Sequence, residues 1–411
     1  MSQRPRETLE EFRRRARAWL AAHMPPRPVE FNYGDWNRQR ELQRTLFEGG
    51  FAGICFPEEY GGLGLPFAYQ EAFTEESMDY EMPLALNSPT LGIIAGTLLD
   101  FGSDEQKRRF IPRILTGEDI WVQFLSEPTS GSDLASVTTR ATRDGDHFVV
   151  NGSKIWSSGA HAADWAICVT RSDWSVPKHD GITVLLMEID QPGVSIERIV
   201  DSVGGDEFCQ EFFDDVRVPV ENVLGEPEQG WTVVRGLLAH ERTTAGGGSI
   251  YTSGRSPRLN TKTQSGVLEL AQETGTTGRG EVRQLIGEDY TLRFVQNATS
   301  VRVMRGIGTG KLPPAASALL RLMGAQVPVR RTDMALETAG AAAVAWRPED
   351  LASRAGAGAI ARQQPAIGGG TTEMALNLIS EQLLGMPREP AADRGVPFDR
   401  VRHNTAPRRK G

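Results

Sequence analysis

Cysteine is almost missing from this 411-residue chain: Cys55, Cys168 and Cys209 are all it has, with no Cys-x-x-Cys pair. That scarcity argues against a disulfide scaffold or a thiolate metal site and suits a reducing compartment, so a cytoplasmic location is expected. The six histidines show no metal-ligand spacing, and no metal is expected. Positive charge is not in excess either. A net charge of −8 offers no broad basic surface for nucleic acid. The opening residues, Met-Ser-Gln-Arg-Pro-Arg-Glu, lack the apolar core of a signal peptide. No long apolar run is intact. The greasiest stretch, Leu84 to Leu99, is broken by Asn87, Ser88, Pro89 and Thr90, so it reads as a buried helix and no membrane span is expected. Phosphate-loop signatures fail as well. Gly306-Ile-Gly-Thr-Gly-Lys311 has Arg305 and Leu312 where a P-loop needs Gly and Ser/Thr, and no Gly-x-Gly-x-x-Gly links a strand to a helix.

What is present is an ordinary globular composition, 39% apolar and 24% charged, long enough for two or three domains. Residues 1–120 read mostly as helices. Thr8-x-x-Glu11 is a capping box before Leu9, Phe12, Ala16 and Trp19 at helical spacing, with Arg13-Arg14-Arg15 on the solvated face. From 121 to 228 the pattern turns to short β-rich runs such as Phe148-Val-Val and Ile182-Thr-Val-Leu-Leu. From 229 to 411 the helical pattern returns. Ala245 to Arg283, crowded with Gly, Ser and Thr, reads as a long loop with one short helix, and the tail after Pro387 reads as a surface extension. No fixed-period repeat is visible. The class is α+β, with a small β domain between two helical ones.

The densest chemistry lies in residues 121–158. Trp-Val-Gln-Phe-Leu-Ser-Glu-Pro-Thr-Ser-Gly-Ser-Asp is followed by Asn-Gly-Ser-Lys-Ile-Trp-Ser-Ser. Two hydroxyl-rich turns, carrying Ser126, Ser130, Ser132, Ser157 and Ser158, flank a hairpin-like segment, and Trp156 adds a flat apolar wall. The set suits a planar, polar-edged ring better than a bare phosphate. Taken singly, each turn could equally be an ordinary Ser-rich β-turn. Gly368-Gly-Gly-Thr-Thr-Glu373, just before an apolar helix ended by Gly385 and Pro387, is a helix start that could face an anion.

The block resembles the acyl-CoA dehydrogenase family, in which a Ser/Thr-Glu-Pro-x-Ala/Gly-Gly-Ser-Asp loop and a Lys-x-Trp-x-Ser/Thr segment cradle the isoalloxazine of FAD. Here these are Ser126 to Asp133 and Lys154 to Ser158, and the likeness runs from Phe51-Ala-Gly-Ile-Cys-Phe-Pro to Leu384-Gly-Met-Pro-Arg-Glu-Pro. The resemblance implies FAD as cofactor, an N-terminal helical domain, a central small β-barrel or sheet domain and a C-terminal helical bundle. It implies that Gln123, Leu125 and Ser126 line the flavin, that Trp156 packs on the ring with Ser158 near its reactive nitrogen, and that Thr371 and Glu373 contact FAD. Ser132 would approach the thioester. An acyl-CoA substrate and an electron-transfer flavoprotein as acceptor are implied too.

Desaturating an acyl thioester needs a base for the α-proton, and many relatives in the family carry that glutamate where this chain has Gly369. Members resembling isovaleryl-CoA and long-chain dehydrogenases place it on a distant helix before an arginine. The match here is Glu241-Arg242 in Trp231-Thr-Val-Val-Arg-Gly-Leu-Leu-Ala-His-Glu-Arg, with Val234, Leu237, Leu238 and Glu241 on one helical face. Glu241 is the expected base, and Arg242 would support acyl-CoA or local structure. The bland alternative is a solvent-facing Glu-Arg pair. His161 and His240 are weaker base candidates.

Two family features are missing. No Arg-x-x-Phe turn lies between Leu268 and Val303, and Glu337-Thr-Ala-Gly-Ala-Ala has a single glycine of the usual pair. The chain is therefore expected either as a homo-oligomer that holds FAD differently or as one subunit of a heteromer with a related chain. The competing readings are a flavin monooxygenase on the same fold, which needs no α-proton base, and a non-catalytic partner subunit.

Overall fold

A computed structural model describes residues 7–28, 34–245, 249–252, 266–345 and 350–401. Helices α1 (Leu9–His23), α2 (Trp36–Glu48), α3 (Phe67–Glu76), α4 (Leu84–Leu86), α5 (Gly96–Phe101) and α6 (Asp104–Thr116) come first. The capping box forms: Thr8 Oγ1 accepts from Glu11 N at 3.3 Å while Thr8 N donates to Glu11 Oε2 at 2.8 Å. Phe12, Ala16 and Leu20 then lie buried one turn apart, and Phe12 meets the Phe51 ring edge-on at 5.7 Å. The arginine cluster is not simply a solvated face. Arg13 pairs with Glu75 and Glu76 of α3, and Arg15 stands over the Phe51 ring at 4.4 Å.

The Leu84–Phe101 segment is a continuous rod whose middle, Asn87–Ala95, is π-helical. It is the single stretch among the described residues long and apolar enough to cross a membrane, and 72% of it is buried within the protein. The wider turn absorbs Pro89, which has no N–H to give. Thr90, one of the polar interruptions, donates from Oγ1 to Trp121 O at 3.0 Å and accepts from Trp121 N at 3.1 Å. A break in the apolar pattern thus becomes the joint between helix and sheet.

The strands are β1 (Trp121–Phe124), β2 (Arg140–Asp144), β3 (His147–Ser158), β4 (Trp165–Arg171), β5 (Ile182–Glu188), β6 (Val194–Ile199) and β7 (Phe208–Pro219). They form a seven-stranded sheet ordered β1-β4-β2-β3-β7-β6, with β5 added on β4. The long β3–β7 pair sets Lys154 opposite Glu211 and slips register between Ile155 and Ser157. One apolar layer, including Phe124, Val150, Cys168, Leu185 and Val216, is fully buried.

Helices return with α7 (Gly230–Ala245), α8 (Gly266–Glu273), α9 (Gly280–Gly308), α10 (Ser317–Ala339), α11 (Leu351–Ala361), α12 (Gln364–Ile367) and α13 (Thr372–Leu378). The chain is a mixed α+β protein, helices flanking a central sheet. Two expectations change. Part of the expected 245–283 loop lies outside the described residues, but α9 already starts at Gly280, so Glu281, Val282 and Arg283 are helical and Val282 is buried. The tail is not a loose extension either. Phe398 is fully buried with the Arg171 guanidinium 3.6 Å from its ring centre, Phe398 N donates to Val176 O at 2.9 Å, and Asp393 pairs with Lys178 at 2.6 Å. Arg171 is itself buried, donating to Val137 O and Ala135 O and pairing with no carboxylate among the described residues, so an aromatic face is a fitting lid for it. Gly306–Lys311 is no phosphate loop: α9 continues through Gly308 and the Leu312 side chain packs on Gly306.

Candidate active site

The two hydroxyl-rich turns are locked together from beneath. Lys154 Nζ donates to Glu127 Oε1 and to Leu125 O, both at 2.9 Å, and both side chains are buried. Glu127 further accepts from Thr138 N and Oγ1 at 2.7 Å and from Thr139 N at 2.8 Å. Burial alone would raise this carboxyl's pKa, but Lys154 and the threonine donors outweigh it and hold it below the usual range. Ile155 N donates to Ser126 O at 2.9 Å and closes the join. Glu127 and Lys154 therefore belong to the motif as its brace.

Above the brace, the register slip at Ile155/Ser157 throws Trp156 out of the strand. Its φ of 69° is left-handed for a non-glycine residue, and 56% of its surface is exposed, with Phe208 edge-on at 5.9 Å. A large apolar ring held in a strained backbone at a cleft marks a contact surface. Ser157 points inward instead. Its hydroxyl donates to Glu211 Oε2 at 3.0 Å, and Glu211, entirely buried with Oε1 unpaired, is pushed up to about 7 by that burial against the opposing pull of Ser157 and Lys154.

The facing wall is helical. Glu241 projects from α7 into the cleft, where burial raises its pKa against the opposing pull of Arg242, Gln123 and Arg321. Gln123 Nε2 is buried without a hydrogen bond of ordinary geometry, although its amide is near enough to favour the charged carboxylate. Gly369 lies at φ 71°, and a Cβ built there would stand 3.0 Å from Glu241 Oε1. The carboxylate at 241 thus occupies the space where a side chain at 369 would begin. Val233, Val234 and Leu237 bury the rear of α7.

The cleft between these walls has a volume of about 2030 Å³. Of the residues picked from sequence, Gln123, Leu125, Ser126 and Ser132 line it from the first turn and Trp156 and Ser158 from the second. Glu241, Arg242 and Thr371 line it from the helices. Glu373 does not; it is exposed on α13. Thr371 caps α13, its hydroxyl accepting from Met374 N at 3.2 Å. The histidines are engaged elsewhere, His161 with Cys209 and His240 with Asp100 at 2.8 Å. Sequence reasoning missed Glu211 and Arg321. Arg321 interrupts the apolar run Ala318-Leu-Leu-Arg-Leu-Met, which was a signal; Glu211, in a strand of alternating charge, gave none.

The sheet's two braced turns and the half-buried Glu241 carboxylate of α7 line one large cleft. Residues 6–118 match the family model of the acyl-CoA dehydrogenase N-terminal domain, and 123–216 that of the middle domain. Acyl-CoA dehydrogenase IpdE1 of Mycobacterium tuberculosis is 32% identical over 405 residues, covering 93% of this chain and 99% of that one. Among solved structures, the Tcur3481-Tcur3483 steroid ACAD superposes with a TM-score of 0.75 at 28% identity, covering 95% of this chain and 100% of its own. The ChsE4-ChsE5 complex from Mycobacterium tuberculosis gives 0.70 at 28% identity, over 95% and 100%. The chain belongs to the acyl-CoA dehydrogenase family, flavoprotein oxidoreductases of lipid degradation that oxidise acyl-CoA thioesters.

Proposed function

We propose that this chain desaturates an acyl-CoA thioester between Cα and Cβ, with Glu241 removing the α-proton. The observation that carries this is Glu241 itself: a carboxylate of raised pKa that lines the same cleft as the two turns and borders the space a side chain at 369 would take. A general base works best when its pKa approaches the working pH, and burial moves Glu241 that way. Arg242 and Arg321 keep the ionised form accessible.

The residues fit FAD. The Gln123 amide, the outward Trp156 ring and the hydroxyls of Ser126 and Ser158 offer a stacking face and polar edge contacts, with Thr371 also lining the cleft. FAD, when bound, accepts the β-hydrogen as hydride. The cleft exceeds the roughly 300–1,000 Å³ of a usual ligand pocket, room enough for a cofactor and a thioester together. A bulky, ring-bearing acyl group is in keeping with one similar structure being a steroid ACAD. We take the functional division to be 1–120, 121–228 and 229–411, the location to be cytoplasmic, and the electron acceptor to be an electron-transfer flavoprotein.

Anaerobic titration of the purified flavoprotein with straight-chain and steroid-derived acyl-CoA thioesters tests the reading. Bleaching of the flavin band by a thioester, lost in Glu241→Gln, is the expected result. A flavin that no thioester bleaches, together with flavin-dependent oxygen uptake, would favour the monooxygenase reading instead.

A second reading concerns assembly. The two gaps in the outer FAD elements fall in a region that exposes large apolar side chains, Tyr290 at 59% and Phe294 at 56% on α9 and Ile367 at 65% on α12. Two similar structures, the Tcur3481-Tcur3483 steroid ACAD and the ChsE4-ChsE5 complex, pair two chains. A heteromer with a related chain would complete both. A homogeneous, FAD-saturated homo-oligomer of this chain alone would count against it.

A further inference from the structure

Arg321 sits on α10 at the foot of the glycine turn, and four backbone carbonyls converge on it. Its Nε donates to Gly369 O at 3.0 Å and Gly370 O at 2.8 Å, and one terminal nitrogen donates to Pro365 O at 2.7 Å and to Gly368 O. Carbonyl oxygens that converge in this way repel one another and, half-buried, are only partly served by water. A planar, forked cation satisfies them together, and it also suits the carbonyl end of α12. The turn it holds is unusual. Gly369 and Gly370 have φ of 71° and 89°, a conformation without intrinsic preference for the native side of the cleft.

The same guanidinium lies beside the base. A Cβ built at 369 would stand 3.6 Å from Arg321 Nε and 3.0 Å from Glu241 Oε1, so both groups border one small volume. We propose that Arg321 is a positioning residue for the base: it pins the glycine turn open so that the Glu241 carboxylate can occupy the space above Gly369, and it supplies the positive charge beside it. This rests on Glu241 being the base. Electrostatics are consistent, because Arg321 opposes the raising effect of burial on Glu241, alongside the larger contribution of Arg242. A lysine at 321 would keep the charge but, as a point donor, could not hold four carbonyls.

The test separates charge from geometry and needs no turnover. In protein labelled with carboxyl-13C glutamate, the Glu241 resonance is assigned as the one missing from Glu241→Gln, and its midpoint is followed with pH. Arg321→Gln is expected to raise that midpoint by about 0.5 pH unit or more, and Arg321→Lys to leave it within about 0.3. Arg321→Lys, which keeps the charge and so the better chance of folding, is expected to speed amide hydrogen exchange in 366–371 by about tenfold while β7 is unchanged. An unmoved midpoint in Arg321→Gln, or unchanged exchange in Arg321→Lys, overturns the assignment. If Glu241→Gln still reduces its flavin with the thioester that bleaches the parent, the base reading fails instead, and the two failures are distinguishable.

Discussion

The two walls of the cleft are built on opposite plans. The β wall is braced by buried side chains: Lys154 on Glu127, Ser157 on Glu211, both within a sheet whose inner layer is fully buried. The helical wall has small local cores, such as Val303, Ala316 and Leu320, and its turn hangs on one arginine and backbone carbonyls. The rigid wall is the one expected to hold a flat ring in fixed register. The lighter wall carries Glu241, the proposed base, whose carboxyl is raised by burial and drawn down by Arg242 and Arg321. The difference teaches that precision and tunability have been put on separate elements.

Substitutions that remove one plan at a time sharpen that comparison. Glu241→Gln should have the largest effect, slowing flavin reduction by about a thousandfold in stopped-flow experiments with little change in melting temperature, as befits loss of a general base. Wild-type flavin reduction should rise with pH through the raised midpoint of Glu241, since only the ionised form accepts the proton. Lys154→Met attacks the other wall. It strands Glu127 as a buried charge and should cost about 3–5 kcal/mol in chemical denaturation, with weaker flavin retention.

Glu211→Gln should act through pH alone. The folded carboxyl is pushed up to about 7, whereas an unfolded one titrates near the ordinary 4.5, so the folded form holds the proton more tightly. Its contribution is full below about pH 4.5 and declines as pH rises through 7. Glu211→Gln should therefore flatten that decline and be more stable than the parent at pH 8 by about 2–3 kcal/mol, with near equality at pH 4. Gly369→Ala should cost about 1–2 kcal/mol for a side chain at φ 71°, measured as a lower melting temperature. Its rate should fall as the new methyl crowds Glu241. A rate equal to the parent's would show that the space above Gly369 does not matter.

Much of the scaffold was legible because its causes are local. The capping box at Thr8, the β-rich run at Phe148 and the helical spacing around Glu241 each depend on residues within a turn or two. The buried helix at Leu84 was readable too, though not its π-helical middle or the joint that Thr90 makes with Trp121 of β1. The tail was misread: Phe398 stands in a polar stretch, and only a buried Arg171 far upstream gives it a place.

By itself the sequence determined the order of helices, strands and helices, the two hydroxyl-rich turns, and the pairing of a glycine at 369 with a glutamate at 241. Tertiary structure alone decided which of those polar residues face the cleft and which hold it together. Lys154 meets Glu127 across 27 residues, Arg321 meets Gly369 across 48 and Ser157 meets Glu211 across 54. Such partners are chosen by strand register and helix packing, and a buried charge must find one because leaving it alone costs several kcal/mol.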